Sequence, residues 1–182
     1  MSRFPPIPDA ELNDDQRAMA AVAGHGGPYQ AFLRAPRLWQ ALQATRHYLA
    51  GESSLPAMVR EAVMLAVARH WQSGGGFAAH VPLARAAGLS CAQIDAIGRG
   101  EMPGMAGPET CAALAATTRL LQAHALDDQG FEQAKQALGE AGLVELMALI
   151  GFFSTISMIL NVSEIKGEFS GPQAGGAYSP AE

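Results

Sequence analysis

The chain has 182 residues, of which 49% are hydrophobic and 16% are charged, and its formal net charge is −5. This composition excludes a disordered chain and fits one domain, since domains commonly span roughly 100–200 residues. Basic residues number 12 against 17 acidic ones and form no run, which argues against a nucleic-acid partner. Because so many residues are hydrophobic and so few are charged, much of the chain must be buried. We therefore expect a homo-oligomer.

The N-terminal region is predicted to be an extended arm followed by a first helix. Three prolines within the first eight residues oppose regular helix there. Asn13 is the predicted N-cap of the first helix and Gly24 its end, and Pro36 opens a second helix that runs to Gly51. We assign residues 1–19 to the arm and the first helix start, residues 20–165 to a single helical domain, and residues 166–182 to a flexible tail.

The middle of the chain is predicted to hold a nearly all-apolar core helix over residues 56–71. A serine cap from the sequence SSLP precedes it, with Pro56 at its first position. The sequence SGGG predicts a break, and the next helix spans residues 77–87, where Pro82 favours a kink beside His80. Ser90 is the predicted cap of a short helix over residues 91–97.

The last third of the chain is also predicted to be helical. Pro108 opens a helix through Leu126, Asp127 caps another, and Gly142 precedes the last long helix. Because no long alternation of β-branched residues occurs while apolar residues recur at helical spacing, the sequence predicts an all-α fold.

Cysteine content and segment hydropathy predict where the protein resides. Cys91 and Cys111 are far apart and match no disulfide-rich or zinc-binding spacing, which favours a reducing cytoplasm. The N-terminus lacks the pattern of a secretory signal. Residues 143–162 approach the length of a membrane span, but they include Glu145 and four other polar residues. We therefore expect a cytoplasmic protein with a helix buried between subunits and no membrane partner.

Two ionisable residues of the middle segment are candidate catalytic groups. Glu61 lies on the apolar side of the core helix, and no Lys or Arg lies three or four residues away. Either a distant cation such as Arg46 pairs with it, or it acts as a proton donor and acceptor. His80 follows 19 residues later, ahead of the expected kink, so the two side chains can form an acid and base pair.

The sequence LPAMVREAVMLAVARHWQSGGGFAAHVPLARAAGLSCAQIDAI resembles the carboxymuconolactone decarboxylase and alkylhydroperoxidase D superfamily, whose core motif is Glu, Cys-x-x-Cys and His at fixed spacing. The residues 12, 15 and 19 positions after Glu61 are Ser73, Gly76 and His80. The resemblance covers most of residues 20–165. It implies an all-α helical bundle that assembles into trimers or hexamers, with Glu61 and His80 as the catalytic residues.

The differences from this superfamily narrow the expected function. Peroxide reduction needs two thiols, and Ser73 and Gly76 stand where the peroxidase branch has its cysteines. We expect a cofactor-free lyase or isomerase that moves protons on a small carboxylate, lactone or keto acid. Two alternatives stay open: an antioxidant peroxidase that uses Cys91 or Cys111, and a non-catalytic helical oligomer in which an arginine holds Glu61.

The remaining site predictions concern substrate contacts and metals. Ser73 is positioned to hydrogen-bond substrate or His80, and Trp71 and Phe77 are predicted walls of the pocket. A metal site is not expected, because His70 and Glu61 fall on opposite faces of one helix. No cofactor is expected, and the predicted partners are a small-molecule substrate and further copies of the chain.

Overall fold

The computed structural model describes residues 2–24, 26–104 and 106–164, and these ranges contain helices and turns but no strand. The all-α prediction is therefore confirmed. A 3₁₀ turn at Asp9–Glu11 precedes the α-helices, and a π-helical turn at Tyr48–Glu52 continues the third of them. The α-helices are α1 (Asp14–Ala23), α2 (Tyr29–Phe32), α3 (Pro36–His47), α4 (Ala57–His70), α5 (Gly74–Ala86), α6 (Cys91–Arg99), α7 (Pro108–Ala123) and α8 (Asp128–Ser163).

Three predicted N-caps are confirmed by hydrogen bonds. The Asn13 side chain accepts from the Gln16 amide, and the Gln16 side chain accepts in return from the Asn13 amide. Ser90 forms the same reciprocal box at the start of α6, and Asp127 accepts from the Gly130 amide at the start of α8. Each cap satisfies amides that the first helical turn leaves without an internal partner.

Helix α4 is the centre of the fold and packs against α5, α6, α7 and α8. Its boundaries agree with the predicted helix to within one residue at each end. The predicted serine cap is wrong, because Pro56 occupies the N-cap position and makes no side-chain cap. The buried residues of α4 are Val59, Ala62, Val63, Leu65, Val67 and Ala68.

The break between α4 and α5 lies earlier than the sequence predicts. Gln72 adopts a left-handed conformation with φ of 52°, and α5 begins at Gly74. The glycines of SGGG therefore form the first turn of α5 and are not a hinge. Pro82 lies inside α5, as the sequence requires. His80 is thereby placed in the middle of a 13-residue helix that packs directly on α4.

Helix α8 contains a kink, but at a different glycine from the one predicted. Gly139 has non-helical angles (φ 74°, ψ 171°), whereas Gly142 continues the helix and is buried. An added Cβ at Gly142 would lie 3.1 Å from the Leu138 Cβ and 3.5 Å from the Leu55 side chain. Gly142 is thus a packing residue, and residues 140–163 form the distal part of α8.

Two groups of buried side chains make up the interior. The main core joins α4 to α8, and a small core of Met19, Phe32, Leu33 and Trp39 joins α1, α2 and α3. Ile156 of α8 packs against both. Because Met19 belongs to the small core, α1 is part of the folded unit. The N-terminal arm lies along the end of α8, where the Arg3 amide donates to the Ser163 carbonyl at 2.8 Å.

By length and composition, α8 is the one helix in the described ranges that is able to cross a membrane. Its most apolar window has a mean hydropathy of 2.1, and 44% of that window is buried inside the protein. Such values are also found in core helices of soluble proteins. The predicted tail, residues 166–182, lies outside the described residues.

Candidate active site

Glu61 and His80 form a hydrogen-bonded pair between α4 and α5. The His80 Nδ1 atom lies 2.8 Å from the Glu61 Oε2 atom. The Glu61 side chain is 15% exposed and the His80 side chain 18% exposed. Both groups are therefore mostly withdrawn from water but still reachable by a small molecule. The structure brings together the two residues that the sequence singled out.

The pair lines a cavity of about 360 Å³ between the main core and the small core. Its opening is marked by the exposed residues Arg46, Ala50 and Leu83. The wall is mostly apolar. Its other lining residues are Pro28, Tyr29, Trp39, Leu49, Arg60, Met64, Gly76, Ala79, Leu149, Phe152, Phe153, Ile156 and Leu160.

Two neighbours fix the position of His80. The Phe153 ring meets the imidazole edge-on, with centroids 4.7 Å apart and planes at 83°. Gly76, one helical turn before His80, lines the cavity next to it. A Cβ at Gly76 would lie 3.0 Å from the Ser73 Oγ and 3.7 Å from the Leu160 side chain. Gly76 therefore has little room for a side chain.

Glu61 has no arginine or lysine partner in the described ranges, where its ion-pair contact is with His80. Arg46 lines the same cavity but does not form the structural ion pair with Glu61 that the sequence left open. Arg60 also lines the cavity, and its guanidinium donates to the Leu55 carbonyl at 2.5 Å and to the Ala50 carbonyl at 3.1 Å. Two arginine charges therefore face the cavity without a carboxylate partner of their own.

A second buried carboxylate, Glu145, supports the cavity wall from behind. It accepts hydrogen bonds from the Tyr48 hydroxyl at 2.5 Å, the Ser53 hydroxyl at 3.0 Å, and the Ser54 hydroxyl and amide at 2.6 and 2.9 Å. These bonds hold the π-helical turn against α8, and Leu49 and Ala50 of that turn line the cavity. π-Helical turns are frequent at functional sites.

The hydrogen bonds also set the ionisation of Glu145. Burial alone would raise the pKa of its carboxyl group, but the hydrogen bonds from Ser54, Tyr48 and Ser53 outweigh burial and hold the pKa below its ordinary value. The carboxylate conversely raises the pKa of the Tyr48 hydroxyl, mainly through the hydrogen bond between them. In the sequence, Glu145 stands out only as one of the polar residues that interrupt an apolar segment.

The three residues predicted to bind substrate do not line the cavity. Ser73 is 2% exposed and Phe77 is 4% exposed, and both lie in the protein interior. The Ser73 Oγ and the Trp71 Nε1 atoms are buried without a hydrogen-bond partner in the described part of the chain. The aromatic walls come instead from Tyr29, Trp39, Phe152 and Phe153, which are distant in sequence.

The two cysteines and the remaining histidine candidate lie elsewhere. Cys91 is exposed at the start of α6, and Cys111 is half-buried in α7 beside a separate groove. His70 is exposed at the end of α4 and does not line the cavity. Across the described ranges, no three His, Cys, Asp or Glu side chains are close enough together to hold a metal ion.

Comparisons with models of known protein families, with curated proteins and with solved structures found no match. The chemistry of the site is therefore inferred from its own residues.

Proposed function

We propose that the protein is a cofactor-free lyase or isomerase of the carboxymuconolactone decarboxylase type, in which Glu61 and His80 transfer protons on a small carboxylate, lactone or keto acid. The observation that carries the proposal is the hydrogen bond between Glu61 and His80 at the wall of an accessible, mostly apolar cavity. A carboxylate and an imidazole so arranged can remove a proton from one atom of a substrate and return it to another.

We assign different tasks to the two residues on the basis of their hydrogen bond. When the Nδ1–H group of His80 donates to the Glu61 carboxylate, the Nε2 atom is left with a lone pair and can accept a proton. The Glu61 carboxylate then stabilises the imidazolium that forms. This division of labour, with the carboxylate orienting and the imidazole exchanging protons, is common in acid and base catalysis.

The same pair serves both reaction types. In decarboxylation, the bond to the carboxylate carbon breaks, carbon dioxide leaves, and the electron pair stays on the substrate as an enolate. His80, which has first taken a proton from water, then donates this proton to the enolate carbon, and a further proton from solvent restores the imidazolium. In isomerisation, His80 removes a proton from one carbon and returns it to another, with no net change in atoms. Either enolate is aided by the positive charge of Arg60, which lines the same cavity.

The cavity limits the size of the substrate. Its volume of about 360 Å³ is near the lower end of the usual range for ligand sites, roughly 300–1,000 Å³. The apolar walls also reduce competition from water, which strengthens electrostatic interactions inside the site. Both features favour a compact organic molecule.

The decisive experiment replaces each member of the pair by an uncharged residue, in Glu61→Gln and His80→Gln. Turnover of candidate lactones and keto acids, and exchange of their α-protons in D₂O followed by NMR, are measured in parallel. We expect each variant to lose about 10²–10⁴-fold in rate, the range typical of one positioned proton transfer. The exchange assay detects proton transfer even when the natural product is unknown.

Matched controls are available on the same fold. Glu140 is exposed in α8 and His70 is exposed in α4, and neither lines the cavity. Glu140→Gln and His70→Gln are expected to keep the full rate. Unchanged turnover and exchange in Glu61→Gln or His80→Gln would refute the proposed roles.

The thiol-dependent alternative makes a different prediction. It requires Cys91 or Cys111 for peroxide reduction, although both lie outside the cavity that holds Glu61 and His80. A Cys91→Ser, Cys111→Ser double variant that keeps full activity would eliminate it. Loss of activity in this variant alone, with Glu61→Gln unaffected, would favour it over the lyase or isomerase.

A further inference from the structure

The opening of the Glu61 and His80 cavity carries a positive charge that the proton-transfer pair does not use. Arg46 lies in the last turn of α3 and is exposed where it lines the cavity. No hydrogen bond or ion pair involves its guanidinium within the described ranges. A free guanidinium beside an apolar cavity is a ready donor for a planar anion, because its N–H groups match the two oxygens of a carboxylate.

Arg60 strengthens this field without competing for the same ligand atoms. Its guanidinium is occupied by the backbone carbonyls of Ala50 and Leu55, which are neutral. Its charge is therefore fixed in place and not cancelled. With Glu61 ionised, the two arginines leave the cavity with an excess of one positive charge, which suits a ligand with one negative charge.

The distribution of charge and apolar wall also orients the ligand. Arg46 is exposed at the opening, whereas Glu61 is mostly buried next to His80. A carboxylate at the opening keeps part of its hydration and contacts Arg46, so it avoids the cost of full burial. A second carboxylate deeper in the cavity would face Glu61 and be repelled. Trp39, Met64 and Phe153 line the cavity and offer contacts for an apolar body.

From these observations we infer that Arg46 is a specificity-determining residue that selects monoanionic carboxylates with an apolar body, bound with the carboxylate at the opening and the body toward His80. This inference rests on the proposed function only in placing the reacting carbon of the ligand beside Glu61 and His80. Because the carboxylate stays at the opening in this orientation, the reaction of the proposed function that fits it is isomerisation. Recognition by Arg46 is a binding property and is testable without turnover.

The test compares 4-phenylbutanoate with its neutral isostere 4-phenylbutanamide. Binding is followed by quenching of Trp39 fluorescence in a Trp71→Phe background, since Trp39 lines the cavity and Trp71 does not. We expect the carboxylate to bind about tenfold more tightly than the amide, as is usual for a charge-assisted hydrogen bond. In Arg46→Gln the affinity for the carboxylate should fall to the affinity for the amide, and the affinity for the amide should not change.

Three further variants make the result specific. Arg46→Lys keeps the charge but not the planar donor group and should retain part of the preference. Arg37→Gln is the control, because Arg37 is exposed on the same helix, pairs with Asp15 and does not line the cavity. It should keep the full preference. Glu61→Gln removes a negative charge from the cavity wall and should keep or increase the preference, so failure of the catalytic proposal would leave this binding result intact.

Three results would overturn the inference. They are equal affinity for the acid and the amide, no binding of either probe at millimolar concentration, and an unchanged preference in Arg46→Gln. A preference that depends on Arg46, together with normal turnover in Glu61→Gln, would refute the proposed function and leave the anion site standing.

Discussion

At the scale of single residues, the candidate site joins an acid and base pair from α4 and α5 to aromatic walls from other helices. Glu61 and His80 are recognisable because a carboxylate on an apolar helix face is unusual and because their separation resembles that of the superfamily motif named in the sequence analysis. Ser73, Trp71 and Phe77 are close to His80 in sequence, yet they face other parts of the interior. Tyr29, Trp39 and Phe153 form the walls and come from three separate helices, so only tertiary packing reveals them.

Glu145 supports a prediction about stability. Glu145→Gln keeps the shape of the side chain but removes the charge that the Tyr48, Ser53 and Ser54 donors share. We expect the free energy of unfolding to fall by about 2 kcal/mol, the scale of buried hydrogen bonds to a charged group. Urea unfolding at pH 7 measures this change in the free energy of unfolding. Glu140→Gln is the control on the same helix and should leave the stability almost unchanged, because Glu140 is exposed and its ion pair with Lys135 is screened by water.

The pH dependence of this effect follows from the lowered pKa of Glu145. A carboxyl group whose folded-state pKa is below its unfolded-state value stabilises the fold above the unfolded value, about 4.3. This stabilisation is lost as the pH falls through the folded-state pKa. The stability difference between the native protein and Glu145→Gln should therefore be constant from pH 7 to 5 and shrink toward pH 3. A constant difference down to pH 3 would contradict the assignment.

At the scale of helices, three predicted N-caps are confirmed, whereas the serine cap before α4 and the glycine-dependent breaks are not. Asn13, Ser90 and Asp127 carry local side-chain signals that act within three residues. A glycine permits a break but does not require one. The SGGG glycines stay helical because the helix that Gly74 opens packs against α4. Gly139 breaks α8 where there is open space around it, whereas Gly142 is helical and packed against Leu138 and Leu55, and the sequence displays neither environment.

Gly139 and Gly151 make a matched pair for testing the kink in α8. Both have open space around an added Cβ, but Gly139 has a φ of 74° and Gly151 is helical. Gly139→Ala should destabilise the protein by about 1–3 kcal/mol, because the Gly139 angles are almost exclusive to glycine. Gly151→Ala should stabilise it by about 0.5–1 kcal/mol through improved helix propensity.

Thermal or urea unfolding of both variants, measured at one protein concentration, tests whether their stability changes have opposite signs. Destabilisation of similar size in the two variants would show that loss of glycine itself is harmful and that the Gly139 conformation is not special.

At the scale of the whole molecule, the all-α fold follows from periodicity, whereas assembly stays a prediction. The distal part of α8 buries one face and leaves another exposed over about 27 Å of helix. From Val144 to Val162 this outer stripe is apolar and carries no charge, so two copies meet there without electrostatic repulsion. The exposed Glu140 lies one turn before the stripe and pairs with Lys135. Its exposed residues are Val144, Met147, Ala148, Gly151, Met158 and Val162.

We expect a second copy of the chain to cover the outer stripe. Met147→Lys places a charge in its middle and should shift the mass measured by light scattering toward that of one chain. Val22→Lys is the control, since Val22 is exposed on α1, far along the chain from the stripe. It should leave the mass unchanged. A native mass of one chain at micromolar concentration would contradict this expectation, and sedimentation with lipid vesicles would show that a bilayer covers the stripe instead.

The position of the cavity between the two cores has one more consequence. The small core holds α1, α2 and α3, the main core holds α4 to α8, and each packs largely within itself. A guest molecule seated between Trp39 and Phe153 touches both halves at once. A bound ligand therefore couples the stability of the two parts, so that they unfold in one cooperative transition. Without the ligand, α1 to α3 should unfold before the rest of the protein.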